Sequence, residues 1–127
     1  MEVYFGGAYQ EKLDYVCSKK NMSVVADGAD CNIEDLENAE ILNHMHLLIK
    51  RYVKEGKSTD TLIDSLYDIN PEIIIICDEV GSGIVPLEKE DRIYREAVGR
   101  VLCSAVKKAV HVERVICGIG QCLKGGR

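Results

Sequence analysis

A glycine-rich turn followed by a lysine lies near the start of the chain, where Gly6 to Leu13 read G-G-A-Y-Q-E-K-L. A phosphate-binding loop of the G-x-x-x-x-G-K-[ST] type uses backbone N–H groups to cradle phosphates, a lysine to neutralise their charge and a hydroxyl to hold Mg²⁺. Gly6 and Lys12 fit this pattern, whereas Glu11 replaces the second glycine and Leu13 replaces the hydroxyl residue. The stretch is therefore a partial phosphate-binding loop, and the charge of Glu11 predicts weakened triphosphate binding.

Two carboxylates, Asp78 and Glu79, directly follow an apolar run of four isoleucines and a cysteine at residues 73–77. Such a run is typical of a central strand buried on both faces of a helix-covered sheet, and ligands bind outside the carboxyl ends of such strands. The arrangement resembles a Walker B motif, in which the first acid helps to hold Mg²⁺ and the second can polarise a nucleophile. We therefore predict Asp78 and Glu79 as metal ligands. The alternative that both acids only cap a strand-to-loop turn stays open at this point.

The segments around these residues alternate between strands and helices. Branched apolar runs indicate the strands, and apolar residues at spacings of three and four indicate the helices. The order βαβααβαβ implies a parallel sheet with right-handed crossovers, in a three-layer α/β fold with helices on both faces and one domain over residues 1–127. The predicted strands are residues 3–5, 22–26, 73–77 and 114–119, and the predicted helices are residues 10–19, 33–55, a helix capped by Ser58 or Thr59, and residues 91–110.

Composition argues against several functional classes. The 127 residues carry a net charge of -5, which is unfavourable for a nucleic-acid surface because phosphate binding needs an excess of Lys and Arg. No apolar run approaches the roughly 20 residues of a membrane helix and no signal-peptide pattern is present, so we expect a cytoplasmic protein. Six cysteines without a C-x-x-C pair favour structural thiols over a metal site or disulfides.

Two histidines, His44 and His46, flank the apolar stripe of the predicted helix at residues 33–55. Residues two apart on a helix point about 200° apart, so this pair is not expected to hold a metal jointly. We interpret both as ordinary surface or boundary histidines.

The chain from Asp78 onward contains three further motifs: D-E-V-G-S-G-I-V-P at residues 78–86, a helix that begins with Arg92, Tyr94 and Arg95 and contains Gly99-Arg100, and C-G-I followed by L-K. They resemble the motifs N-E-V-G-x-G-I-V-P, R-x-[FY]-R-[DE]-x-x-G and V-x-G-[IL]-P-x-x-[LI]-K of the adenosylcobinamide kinase / adenosylcobinamide-phosphate guanylyltransferase family. The resemblance covers residues 72–124, with Asp78 in place of the family's asparagine. The family's N-terminal loop, G-G-A-R-S-G-K-S, is matched by Gly6, Gly7, Ala8 and Lys12.

This resemblance implies a P-loop NTPase fold of the RecA-like branch and a role in cobalamin biosynthesis. GTP or ATP with Mg²⁺ would phosphorylate the aminopropanol hydroxyl of adenosylcobinamide, a corrinoid. Lys12 and Glu79 would be the catalytic residues, Gly6, Gly7, Ala8 and Lys12 would bind the nucleotide, and Asp78 and Glu79 would lie near Mg²⁺. The resemblance also implies a homo-oligomer, with the apolar stripe at residues 94–110 as one candidate seam.

The resemblance does not extend to the segment that carries guanylyl transfer. In the family a histidine within R-I-x-x-H-x-x-R-R-P-x-x-W becomes guanylylated, whereas this chain has no tryptophan and no such segment. We therefore expect that activity to be lost. Two alternatives remain: a degenerate relative that binds a nucleotide, a corrinoid or a protein partner without turnover, and an α/β protein whose glycine turns are only structural.

Overall fold

The structure is a computed structural model that describes residues 1–7, 11–21, 24–79 and 89–125. Its elements, in chain order, are β1 Glu2–Gly6, α1 Lys12–Lys20, β2 Val25–Asp27, a 3-10 helix Ile33–Glu37, β3 Ile41–Asn43, α2 Met45–Lys54, α3 Leu62–Ile69, β4 Ile74–Asp78, α4 Lys89–Lys108, β5 His111–Ile116 and β6 Ile119–Lys124. The six strands form one sheet in the order β2-β3-β4-β1-β5-β6, parallel except for the β5–β6 pair. The expected α/β class is confirmed.

Helices cover both faces of this sheet. On one face Tyr4 and Ile76 pack with Val16 of α1. On the other face Ile75 and Cys77 pack with residues of α2, α3 and α4. Strand β4 is therefore buried on both sides, as its unbroken apolar run predicts.

The predicted single helix over residues 33–55 is wrong. That segment contains the 3-10 helix, strand β3 and helix α2. Ile41 and Leu42 pair with Ile74 and Ile75 of β4, and both are fully buried. Two apolar residues ahead of a helical repeat fit either a strand or a helix in the sequence. Pairing beside β4 favours the strand, because it satisfies the backbone hydrogen bonds and buries both apolar side chains.

The end of the chain also differs from the prediction. The predicted single strand at residues 114–119 is instead the antiparallel hairpin of β5 and β6. Its two-residue turn is Cys117-Gly118, with φ of 50° and 76°, and two positive φ values are what a type I′ turn requires. The sheet is therefore not wholly parallel, and Cys117 is exposed rather than placed in a strand core.

The apolar stripe of α4 packs inside the chain. Ala97, Val98, Val101 and Ala105 are buried and belong to the main hydrophobic cluster. The candidate oligomer seam is therefore used by the chain's own core. Within the described residues, no helix has the length and apolar character needed to cross a bilayer.

A buried carboxylate, Glu113, fastens β5 to α1. It accepts hydrogen bonds from Tyr15 Oη at 2.5 Å and His111 Nε2 at 2.5 Å, and it also pairs with Lys19. Burial raises the pKa of Glu113, but these three partners outweigh burial and lower the pKa to about 2. The carboxylate therefore stays ionised in the fold well below its ordinary pKa of 4.5.

We expect the free energy of unfolding to fall as the pH drops from about 4.5 to about 2. A depressed pKa stabilises the fold at pH values above the unfolded-state pKa, and this contribution is lost as the pH falls through the folded-state pKa. At neutral pH the free energy of unfolding of Glu113→Gln should be lower by about 1–3 kcal/mol, because the charged partners lose their ionised acceptor. The stability of this variant should also fall less as the pH drops. Urea titrations at pH 7 and pH 3 measure both effects, with the exposed Glu37→Gln as control. An unchanged acid dependence in Glu113→Gln would contradict the assignment.

Candidate functional site

The carboxyl ends of β1 and β4 form the natural place for a ligand. These strands are neighbours, and Gly6 pairs with Asp78 at their ends. Helix α1, which follows β1, packs on one face of the sheet, and α4, which follows β4, packs on the other. Where the connections of neighbouring strands leave to opposite faces, a crevice opens between the strand ends, and ligands of open α/β sheets bind there.

Lys12 begins helix α1 and lies within this crevice. Its side chain is only 6 % exposed. The Nζ atom donates to the Gly7 carbonyl oxygen at 2.7 Å and lies 2.6 Å from Asp78 Oδ1. The structure thus brings Lys12 and Asp78 together, and each neutralises the charge of the other where water is largely excluded.

Glu11 precedes Lys12 in the left-handed backbone region, with φ of 60°. This is the position where the sequence pattern requires glycine, and a residue with a β-carbon is disfavoured there by about 1–2 kcal/mol. Its Oε2 atom lies 3.1 Å from where a Cβ on Gly118 would stand, so the carboxylate is beside the β5–β6 turn. A glutamate therefore adopts the backbone conformation that glycine favours at this position.

Glu79 is turned away from Lys12 and Asp78. Its carboxylate accepts a hydrogen bond from Arg114 Nη2 at 3.2 Å, and its backbone N–H donates to the Gly6 carbonyl oxygen at 2.6 Å. Arg114 is the register partner of Phe5, which packs on the α4 side of the sheet. Successive strand residues point to opposite faces, so adjacent acids at a strand end diverge. The structure does not bring Glu79 to Lys12 or Asp78.

His46, in the first turn of α2, completes the surroundings of Asp78. Its Nδ1 atom accepts a hydrogen bond from the Asp78 backbone N–H at 3.1 Å, and its Nε2 atom lies 3.4 Å from Asp78 Oδ2. Burial lowers the pKa of His46 more than the Asp78 charge raises it. The ring is therefore neutral at pH 7, with its proton on Nε2 facing the carboxylate. Sequence reasoning missed this contact because it treated the histidine as part of a longer helix.

His44 precedes α2, with φ of 58°. Its Nδ1 atom lies 3.1 Å from Asp27 Oδ2 and 3.2 Å from Asp27 Oδ1. The ring centroids of His44 and His46 are 5.5 Å apart. The expected divergence of the two rings is wrong, because it assumed that both residues lie within one helix.

These residues line one cleft of about 440 Å³. Helices α1 and α2 both begin at the cleft, and neither N-cap residue, Glu11 or His44, forms a side-chain capping hydrogen bond within the described part of the chain. Uncapped N–H groups at helix N-termini, together with a lysine, suit an anionic ligand. Within the described ranges, no group of three or more His, Cys, Asp or Glu residues is placed to hold a metal ion. The lining residues are Glu11, Lys12, Leu13, Asp14, Asn43, His44, His46, Leu47, Ile76 and Asp78.

Part of the predicted site lies outside the described residues. Ala8 of the glycine turn is one such residue. The motif V-G-S-G-I-V-P at residues 80–86 is another part. Gly6, Gly7, Lys12, Asp78 and Glu79 all lie within the described ranges.

A model of the cobinamide kinase / cobinamide phosphate guanyltransferase family matches residues 19–123. This range is most of the 127-residue chain, and the chain belongs to this family. The matched range includes Asp78, Glu79 and the two cleft histidines, and it begins after Lys12. A search of curated proteins gave no match. Membership gives the chain a role in cobalamin biosynthesis and, as the family's substrates, nucleoside triphosphates.

Proposed function

We propose that this chain is a nucleotide-dependent kinase that phosphorylates the aminopropanol hydroxyl of adenosylcobinamide. The observation that carries the proposal is the contact of Lys12 with Asp78 at 2.6 Å, inside a cleft between the ends of β1 and β4. A buried cation beside a carboxylate at such a point is the arrangement that phosphoryl transfer uses to bind phosphates and neutralise their charge.

The donor is GTP or ATP, with its phosphates at the N-terminus of α1. Lys12 would bind their oxygens, and the backbone of the Gly6-Gly7-Ala8 turn would face them. The first-turn N–H groups of α1 receive no capping hydrogen bond from the Glu11 side chain and add to this attraction. Glu11 opposes it through its charge, although its carboxylate lies beside the β5–β6 turn.

Asp78 fits a Mg²⁺ ion that accompanies the nucleotide. Mg²⁺ is commonly held by one or two carboxylates, with phosphates and water completing its shell. Asp78 offers one carboxylate at the cleft, whereas Leu13 offers no oxygen. Glu79 would join as a second ligand, or as the catalytic group that polarises the nucleophile, only after releasing Arg114. When bound, the ion would neutralise charge on the transferred phosphoryl group.

The second candidate function is a binding protein without turnover. Glu11 at φ of 60° and Leu13 in the cleft wall are the observations that favour it. Such a protein would hold a nucleotide, a corrinoid or a protein partner. Guanylyl transfer belongs to neither proposal, because the chain lacks the histidine segment that supports that step.

We expect calorimetric titration with GTP or ATP in the presence of Mg²⁺ to show binding at sub-millimolar concentration. Incubation with adenosylcobinamide and nucleotide should then give the phosphorylated corrinoid at a rate far above that of Lys12→Ala. Binding with no phosphorylation would favour the second candidate. No heat at millimolar nucleotide would overturn the kinase proposal.

A further inference from the structure

Asp27 and His44 form a second aspartate–histidine pair, and the His44 member of this pair lines the same cleft. The His44 Nδ1 atom lies within 3.2 Å of both Asp27 carboxylate oxygens. This contact places the ring proton on Nδ1, and Nε2 has no hydrogen-bond partner among the residues that the structure describes. The side chain is 41 % exposed, so a ligand in the cleft can reach it. An imidazole whose Nδ1–H donates in this way presents Nε2 as a proton acceptor.

Close packing of the two chain segments holds Asp27 beside His44. Gly28 follows Asp27, and a Cβ at Gly28 would overlap the His44 carbonyl oxygen, so glycine lets the two segments approach. The Gly28 N–H donates to the Asn43 carbonyl oxygen at 2.8 Å, and Arg51 Nη1 donates to the Gly28 carbonyl oxygen at 3.0 Å. These contacts hold the Asp27 turn against the end of β3 and the start of α2.

Backbone strain marks the same place. The described residues include four non-glycine residues with positive φ, and two of them, Glu11 and His44, stand directly before a helix that begins at this cleft. A side chain in the left-handed region persists only where surrounding contacts over-determine it, and such strain clusters at functional sites. For His44 the surrounding contacts are those to Asp27, Gly28 and Asn43.

From this geometry we propose that His44, positioned by Asp27, is the general base of the phosphoryl transfer; the inference rests on the proposed kinase function. The hydroxyl oxygen of the acceptor forms a bond to the γ-phosphorus of the nucleotide. The bond from that phosphorus to the β–γ bridging oxygen breaks, and its electron pair leaves with the nucleoside diphosphate. The hydroxyl proton passes to His44 Nε2, and Asp27 stabilises the imidazolium that forms.

Other groups near the cleft suit this role less well. Both ring nitrogens of His46 face Asp78, and the Glu79 carboxylate is bound to Arg114 on the other side of the sheet. Glu11 and Asp14 line the cleft as carboxylates, and a carboxylate is a weaker base than imidazole at neutral pH. His44 is therefore the best-placed proton acceptor among the described lining residues.

The test compares His44→Asn, Asp27→Asn and Asp30→Asn in the full chain. Asparagine suits position 44 because it tolerates left-handed backbone. We expect His44→Asn to lower kcat for corrinoid phosphorylation about 100-fold or more, the usual contribution of a general base, with the KM for nucleotide unchanged. Asp27→Asn should lower kcat with little change in KM and should alter the ¹⁵N shifts that report the proton on His44 Nδ1. Asp30→Asn, on the same turn, should match the wild type in both measurements.

The outcomes separate the inference from the proposed function. Turnover by the wild type together with a His44→Asn rate within threefold of it would overturn the inference and leave the kinase intact. Label retained covalently on His44 from the nucleotide would also overturn it, because a base forms no bond to phosphorus. No turnover by the wild type overturns both. His44→Gln serves as the second variant if His44→Asn loses its cooperative melting transition.

Discussion

Lys12→Ala is expected to lower the rate of corrinoid phosphorylation at least about 100-fold. Lys12 is buried at the end of β1, where its ammonium donates to Gly7 and pairs with Asp78. A charged hydrogen bond to a phosphate is worth about 3 kcal/mol when water is excluded, which corresponds to roughly 100-fold in rate. Initial rates at saturating nucleotide, and the nucleotide Kd from calorimetry, measure the loss.

The matched control is Lys20→Ala, at the other end of α1. Lys20 also pairs with a carboxylate, Glu2, at 3.1 Å, but it is more exposed than Lys12. A partly exposed ion pair contributes about 0–1 kcal/mol, and this one lies outside the cleft. We expect turnover to survive in Lys20→Ala. Equal losses in the two variants would show that α1, rather than the Lys12 ammonium, is what the activity depends on.

Gly28→Ala is expected to cause a large loss of stability, of about 2–3 kcal/mol. A Cβ at this position would overlap the His44 carbonyl oxygen and lie 3.1 Å from the Leu48 backbone nitrogen. Both neighbours are backbone atoms, one in His44 just before α2 and one in Leu48 within α2, so they cannot rotate away as a side chain would. Overpacking against fixed atoms costs about 1–3 kcal/mol, and the shift would also separate Asp27 from His44. Urea denaturation measures the loss.

Gly99→Ala provides the opposite expectation from the same chemical change. Gly99 lies within α4, and a Cβ there would meet no atom within 4 Å. Alanine in a helix interior is favoured over glycine by about 0.5–1 kcal/mol, so this variant should be more stable than the wild type. A Gly28→Ala variant as stable as Gly99→Ala would refute the close approach of the Asp27 turn to α2.

The strongly patterned elements could be predicted from the sequence. The isoleucine run of β4 and the three-four repeat of α4 each allow one structure, because no alternative buries so many apolar side chains. Strand β3 could not be predicted, because its three residues are followed almost at once by the apolar repeat of α2 and have no pattern of their own. The β5–β6 turn was hidden for another reason: its first residue is Cys117, whereas asparagine or aspartate is the usual signal for positive φ.

The candidate site was predictable where it follows from topology. A lysine after β1 and an acid at the end of β4 meet because neighbouring parallel strands end at one edge of the sheet. The divergence of Glu79 from Asp78 also follows from the two-residue period of a strand, although the resemblance to a paired acidic motif favoured the opposite expectation. The His44 and Asp27 contact depends on a left-handed residue and on the tight approach of Gly28, neither of which leaves a pattern in the sequence.

The pairing of Lys12 with Asp78 has a consequence for which anions the cleft accepts. Lys12 is already in contact with the Asp78 carboxylate. A small ion such as chloride or free inorganic phosphate must therefore compete for Lys12 with a carboxylate that the fold keeps at very high local concentration. A polyphosphate that carries its own divalent cation would not face this competition, because the cation would pair with Asp78 while the phosphates pair with Lys12. The protein's own acid is thus expected to act as a filter against the simple anions that are abundant around it.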